Sequence, residues 1–135
     1  MIIADSSVWI DFFRSVPSAQ VVALRELLKS RKVIMGDLIL AEVLQGFGQD
    51  SQFRFALRQF DLLPTVTVAD PEIAVAAARN YRSLRAKGVT IRKTIDTLIA
   101  TRCIIDGIPL LYSDRDFDAF VAHLGLKSAL PLAAS

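Results

Sequence analysis

Short apolar runs alternate with helix-length segments from one end of this chain to the other, and that alternation restricts the fold more than any other feature. The runs from Ile2 to Ala4, Val33 to Met35, Leu62 to Val68 and Pro109 to Tyr112 end in polar or turn residues and read as buried strands. The third is interrupted or begun at Pro64, which cannot donate to a sheet ladder. Between the first two lie a helix from Ser7 to about Arg14 and a second, capped by Ser18, with Val21, Leu24, Leu27 and Leu28 on one stripe. Asp37 is the expected N-cap of a helix over Leu38 to about Gly46, and Phe53 to Phe60 repeats its apolar positions at helical spacing. Asp70-Pro71-Glu72 combines a capping acid, a proline at the first helical position and an acid in the first turn. The helix it opens should run to about Lys87 and stop at Gly88. Thr94 is the expected cap of a helix ending before Gly107, and Phe117 to Leu124 forms the last one, with the tail from Leu126 a candidate edge strand. Strands alternating with helices predict an α/β fold, a central parallel sheet of four to five strands flanked by helices on both faces.

The 135 residues carry no repeat, linker or low-complexity segment, so 1–135 reads as one domain with its own core. A hydrophobic fraction of 53% excludes a disordered chain. No stretch reaches the roughly 18 uncharged apolar residues of a membrane span. The start, Met1-Ile2-Ile3-Ala4-Asp5, lacks the basic region of a signal peptide. A lone cysteine, Cys103, rules out an internal disulfide and fits a reducing cytoplasm.

In open parallel sheets ligands bind beyond the carboxyl ends of the strands. Asp5 directly follows the first strand and Asp114 the fourth, so both should leave the sheet at one edge. Three further acids, Glu42, Asp96 and Asp116, also sit in or beside apolar segments. Carboxylates brought together repel one another and resist ionising, so a cluster of them calls for a divalent cation. Taken singly, four have ordinary explanations. Asp5 could cap a helix, Asp96 could favour a helix dipole, and Asp114 and Asp116 occupy a turn. Glu42 differs, because Leu38-Ile39-Leu40-Ala41-Glu42-Val43-Leu44 is apolar nearly all round and no basic residue stands three or four positions away. A buried carboxylate is expected there, in need of a metal, a metal-held water or a distant arginine.

The net charge is only +2, from 16 Lys and Arg against 14 Asp and Glu. With five acids given over to a cation, nine remain against 16, and the rest of the surface suits a polyanionic substrate. Gly-rich phosphate loops, His-Cys zinc spacings and a Gly-x-Ser-x-Gly elbow are all missing. His123 reads as a surface residue near a helix end, and Cys103 as a small packed hydrophobe.

Four segments resemble the PIN-domain ribonucleases and, more narrowly, the VapC toxins of toxin–antitoxin modules. They are Asp5-Ser6-Ser7-Val8-Trp9-Ile10-Asp11, Leu40-Ala41-Glu42-Val43-Leu44-Gln45-Gly46, Ile91 through Ala100 around Asp96, and Ser113-Asp114-Arg115-Asp116-Phe117. They follow the family's order across nearly the whole chain. The resemblance implies a PIN-like sheet with Asp5, Glu42, Asp96 and Asp114 as the acidic constellation and Asp116 as a fifth acid. It also implies Mg²⁺ or Mn²⁺, cleavage of RNA of the tRNA or rRNA class, a homodimer and an antitoxin polypeptide. Ser7 matches a small hydroxyl residue that orients a ligand or water, while Arg92, Lys93 and Arg115 flank the site as candidate phosphate holders.

Two other readings stay open on the residues alone. A Mg²⁺-dependent phosphotransfer domain also gathers acids at strand ends, but the haloacid-dehalogenase pattern wants a second Asp where Ser7 stands. A receiver wants a late Lys, for which Lys127 is poorly placed. A non-catalytic nucleic-acid adaptor would be marked by a missing pocket acid, and none is missing. Finally, Trp9, Phe12, Phe13, Phe47, Phe53 and Phe55 supply more aromatic area than their helices need for a core, which predicts a partner groove.

Overall fold

The computed structural model describes residues 1–130. The chain runs β1 (Ile2–Ala4), α1 (Ser6–Phe13), α2 (Ala19–Lys29), β2 (Val33–Gly36), α3 (Asp37–Gln45), α4 (Asp50–Phe60) and β3 (Thr65–Val66). It continues through α5 (Pro71–Ala86), α6 (Thr94–Asp106), β4 (Leu110–Leu111), a 3-10 turn (Arg115–Phe117) and α7 (Asp118–Leu124). All strand pairs are parallel, in the order β3-β2-β1-β4. The helices fall into two mutually packed groups, α1 to α4 and α5 to α7, around the sheet. Ile3, Met35, Leu110 and Leu111 of the strands are fully buried together with Phe117 and Phe120, so the sheet is the centre of the core.

The strand order positions the site. From β1 the chain moves outward to β2 and β3, then returns to the opposite side of β1 to lay down β4. The order therefore reverses between β1 and β4, and the region beyond the carboxyl ends of those two strands is where a sheet of this kind has its ligand crevice. Ala4 pairs with Leu111, and the Asp5 amide donates to the Leu111 carbonyl at 2.8 Å, fixing where both chains leave the sheet.

Several local expectations need correction. Asp37 is not an N-cap: Gly36 holds that position, and Asp37 lies in the first turn of α3. Its Oδ1 instead accepts from the Leu38 amide at 3.0 Å and the Val68 amide at 2.7 Å. A Cβ on Gly36 would fall 2.7 Å from Cγ2 of the buried Val68, so this approach of two chain segments requires glycine. The same Val68 bond explains why the third strand is only Thr65–Val66 rather than Leu62 to Val68. Pro64 brings a carbonyl for the Met35 amide and no donor, and by Val68 the backbone bonds a side chain instead of the sheet. Thr94 begins α6 but does not cap it; Lys93 occupies the cap without a side-chain bond. Helix α4 begins at Asp50 rather than Phe53, with an Asp50–Arg54 ion pair across its first turn.

Other signals match the structure. Asp70 caps α5 by accepting from the Ile73 amide at 2.8 Å, and its second oxygen takes Arg102 of α6 at 2.9 Å. Gly107 and Gly125 close α6 and α7 with left-handed backbone. Of the tail expected as an edge strand from Leu126, the described part, up to residue 130, makes an isolated parallel bridge, Leu110 to Ser128, rather than a strand, and residues 131–135 lie outside the described residues. His123 is exposed. Cys103 is buried, and burial pushes its thiol up to about 12, which removes it as a nucleophile.

Candidate metal centre

Asp5 directly follows β1 and caps α1. Its Oδ2 accepts from the Ser7 amide at 3.3 Å and the Ser7 hydroxyl at 2.7 Å. Only 3% of the residue is exposed, and Oδ1 is buried with no hydrogen-bond partner. Asp96, 4% exposed in the first turn of α6, leaves its Oδ2 in the same condition. Two orphaned carboxylate oxygens in one small domain are unusual, since a buried acceptor left unpaired costs about 1–3 kcal/mol.

The turn after β4 supplies the next pair. Asp114 caps the 3-10 turn, its Oδ1 accepting from the Asp116 amide at 2.9 Å, and this aims both side chains back toward α6. Asp96, Asp114 and Asp116 each offer an oxygen within 4.8 Å of the others. Glu42 arrives from α3, and its Oε1 accepts from the Ser6 hydroxyl at 2.9 Å.

The electrostatics couple four of these acids, Asp5, Glu42, Asp96 and Asp114. Burial, then the nearby negative charge of Asp5, raise the Asp96 carboxyl to about 7, with Asp114 and Glu42 adding to the rise and Lys93 opposing it. Burial also raises Asp5, while its bonds from Ser7 and Ser6 lower it and the charge of Glu42 adds a smaller rise. The crevice is thus short of positive charge, and among the described residues only one arginine meets a cluster acid: Arg92 Nε lies 3.3 Å from Asp116 Oδ2. That arginine is largely exposed, so the pair is weak and easily exchanged. Hard oxygen donors, two of them unpaired and buried, fit a divalent cation.

Sequence reasoning mistook one detail and overlooked another. Glu42 is half-buried, because α3 buries only Ile39 and Val43 and turns the Glu42 side toward the crevice. Ser6, read only as a neighbour of Asp5, turns out to be the hydrogen-bond partner of Glu42. Of the candidate phosphate holders, Lys93 and Arg115 are exposed beside the acids, whereas Arg92 is engaged with Asp116.

The expected aromatic groove is present, though not with every ring. Phe13 meets Trp9, Phe12, Phe47 and Phe60 with ring centroids 5.3–6.3 Å apart. Two concavities flank it. One, of about 550 Å³, includes Ile10, Arg14, Val43 and Phe47; the other, of about 800 Å³, includes Trp9, Phe12, Phe60 and Leu62. Phe13 and Phe55 line both, Phe53 lines neither, and no carboxylate of the cluster borders them. Phe55 is 51% exposed and Leu62 79%, large apolar side chains left in water at the groove.

The PIN domain family model matches residues 2–122. A VapC ribonuclease of Mycobacterium bovis and ribonuclease VapC11 of Mycobacterium tuberculosis are each 34% identical over 131 residues, covering 96% of this chain and 98% of the relative. Among solved structures, VapBC2 of Rickettsia felis bound to a promoter DNA fragment superposes with a TM-score of 0.72 at 20% identity, covering 95% of this chain and 97% of that one. FitAcB of Neisseria gonorrhoeae gives 0.68 at 19% identity, covering 95% and 96%. With its acids gathered at the β1–β4 switch point and most of its length matched, the chain belongs to the PIN-domain family and is of the VapC kind.

Proposed function

We propose that this protein is a metal-dependent endoribonuclease, the toxin of a toxin–antitoxin pair, hydrolysing RNA phosphodiester bonds at the carboxylate cluster. The observation that carries this reading is the pair of buried oxygens, Asp5 Oδ1 and Asp96 Oδ2, that find no partner within the described residues. Asp5 and Asp96 hold the cation directly; Glu42, Asp114 and Asp116 complete its surroundings or orient its waters. A divalent cation there, Mg²⁺ or Mn²⁺, supplies Lewis-acid activation of water and offsets charge on the phosphodiester. Ser7 keeps Asp5 in its orientation, and Lys93 and Arg115 hold flanking phosphates of an RNA of the tRNA or rRNA class. Arg92, now paired with Asp116, would be free to join them if Asp116 were to hold the cation. With the acids so occupied, the basic residues that remain favour a polyanion.

The family match displaces the phosphotransfer alternative. A nucleic-acid adaptor would bind metal and RNA without cutting, and one assay separates the two. Purified protein cleaves tRNA or rRNA with Mg²⁺ or Mn²⁺ present, stops in EDTA and recovers when Mn²⁺ is restored in excess. RNA that stays intact with either metal contradicts the proposal.

The partners follow from the same reading. The groove around Phe13 receives an apolar segment of a cognate antitoxin, and the protein acts as a cytoplasmic homodimer. Exposed Val75 on α5 and Ile105 on α6, outside that groove, leave apolar area for the dimer contact. Light scattering should give twice the chain mass of 14.9 kDa; a monodisperse monomer contradicts the dimer.

A further inference from the structure

We infer that Ser6 is a positioning residue that holds Glu42 toward the cation, so that two consecutive serines divide the cluster between them. The inference rests on the metal-site reading above. Ser7 donates to Asp5 Oδ2 at 2.7 Å, and Ser6, one residue earlier, donates to Glu42 Oε1 at 2.9 Å. The first turn of α1 thereby restrains two acids from different segments, one directly after β1 and one in the middle of α3. Each keeps one oxygen for a ligand: Oδ1 on Asp5 and Oε2 on Glu42.

Glu42 needs such a restraint more than any other acid of the cluster. It is half-buried on a helix, with rotatable side-chain bonds and a route to water. Its charge opposes those of Asp5 and Asp96, so before a cation arrives electrostatics push it outward. Ser6 is its sole hydrogen-bond donor among the described residues, and no arginine or lysine pairs with it. The hydroxyl itself is well fixed, since Ser6 is only 9% exposed and stands in a helical turn capped by Asp5. An organised Glu42 saves the cation the cost of ordering it. Among the described residues the Ser6 hydroxyl bonds no side chain but Glu42, and an alanine would serve the helix equally.

The test is a double-mutant cycle on Mn²⁺ affinity, measured by calorimetry on wild type, Ser6→Ala, Glu42→Gln and the double variant. Ser6→Ala is expected to weaken Mn²⁺ on the order of 10-fold, the scale of an outer partner of a metal ligand. It should leave the melting temperature of the metal-free protein unchanged. Glu42→Gln should weaken binding at least as much, and adding Ser6→Ala to it should cost nothing more. Ser6→Cys, similar in size but a poor donor, should reproduce the loss. Wild-type affinity in Ser6→Ala or Ser6→Cys, or losses that add in the double variant, overturn the positioning role. Wild-type affinity in Glu42→Gln instead contradicts the metal site as assigned.

Discussion

Asp96→Asn should lower metal-dependent RNA cleavage by at least about 100-fold, yet raise the melting temperature of the metal-free protein at pH 8 by about 5 °C. The first effect follows from position. Asp96 is the acid that the others converge upon, close to Asp114 and Asp116 and coupled by charge to Asp5 and Glu42. An amide cannot replace its negative oxygen, and losing a direct ligand should cost more than the 10- to 100-fold typical of residues behind one. The second effect has the opposite sign because the site is built for a cation and strained without it. In the folded protein Asp96 holds its proton until about pH 7, against 3.8 in the unfolded chain. Between those values the folded state binds more protons than the unfolded state, so stability falls as pH rises through the window. Above it, both states are ionised and the whole electrostatic cost is present. Asparagine removes that cost and offers N–H donors where acceptors are crowded. Melting curves from pH 4 to pH 8 should therefore converge for variant and wild type at the acid end and separate at the basic end, and Mn²⁺ should stabilise wild type alone. Cleavage at the wild-type rate would remove Asp96 from the metal site; parallel melting curves would contradict its electrostatic strain.

That opposition between function and stability explains how far the sequence could be read. Asp5 and Asp114 could be placed without coordinates, because each stands one or a few residues past an apolar run that has to be a strand, and parallel strands end at one edge. Without the family resemblance, Asp96 reads as an acid in a first helical turn, a position with its own ordinary reason. What distinguishes it is the orphaned Oδ2, which exists only once α6 is packed beside the 3-10 turn. Glu42 illustrates the reverse error. An apolar heptapeptide around it suggested burial, but helix α3 fully buries only Ile39 and Val43, while Leu38, Leu40 and Leu44 pack half-buried against the core and the Glu42 side stays open. Ser6 carried no signal at all, since serines abound in first turns and only the fold brings α3 across to it. The third strand was overdrawn because β-propensity continues past Val66, whereas the Asp37–Val68 bond ends the ladder there.

Phe13→Asp should weaken binding of the cognate antitoxin by at least about 30-fold while leaving Mn²⁺ affinity and RNA cleavage intact. Phe13 lines both concavities and touches four other aromatic rings, so a partner segment crossing from one hollow to the other must pass over it. Central, well-packed aromatics of this kind carry disproportionate binding energy, about 2 kcal/mol or more on truncation. A carboxylate does more than truncate. It has to be stripped of water against the ring faces of Trp9 and Phe47, which offer it no hydrogen bond in place of water. The cost to the free protein is smaller, since Phe13 is only half-buried and the new side chain can turn outward past Arg14. Phe13 and Asp5 stand at opposite ends of α1, separated by the length of an eight-residue helix, about 12 Å, so the carboxylate cluster keeps its geometry. Separating the two functions in this way distinguishes a docking groove from a core that happens to be open. If the rings serve only to fill the interior, Phe13→Asp would lower the melting temperature and metal-dependent cleavage together, and the antitoxin would bind the folded remainder as tightly as it binds wild type.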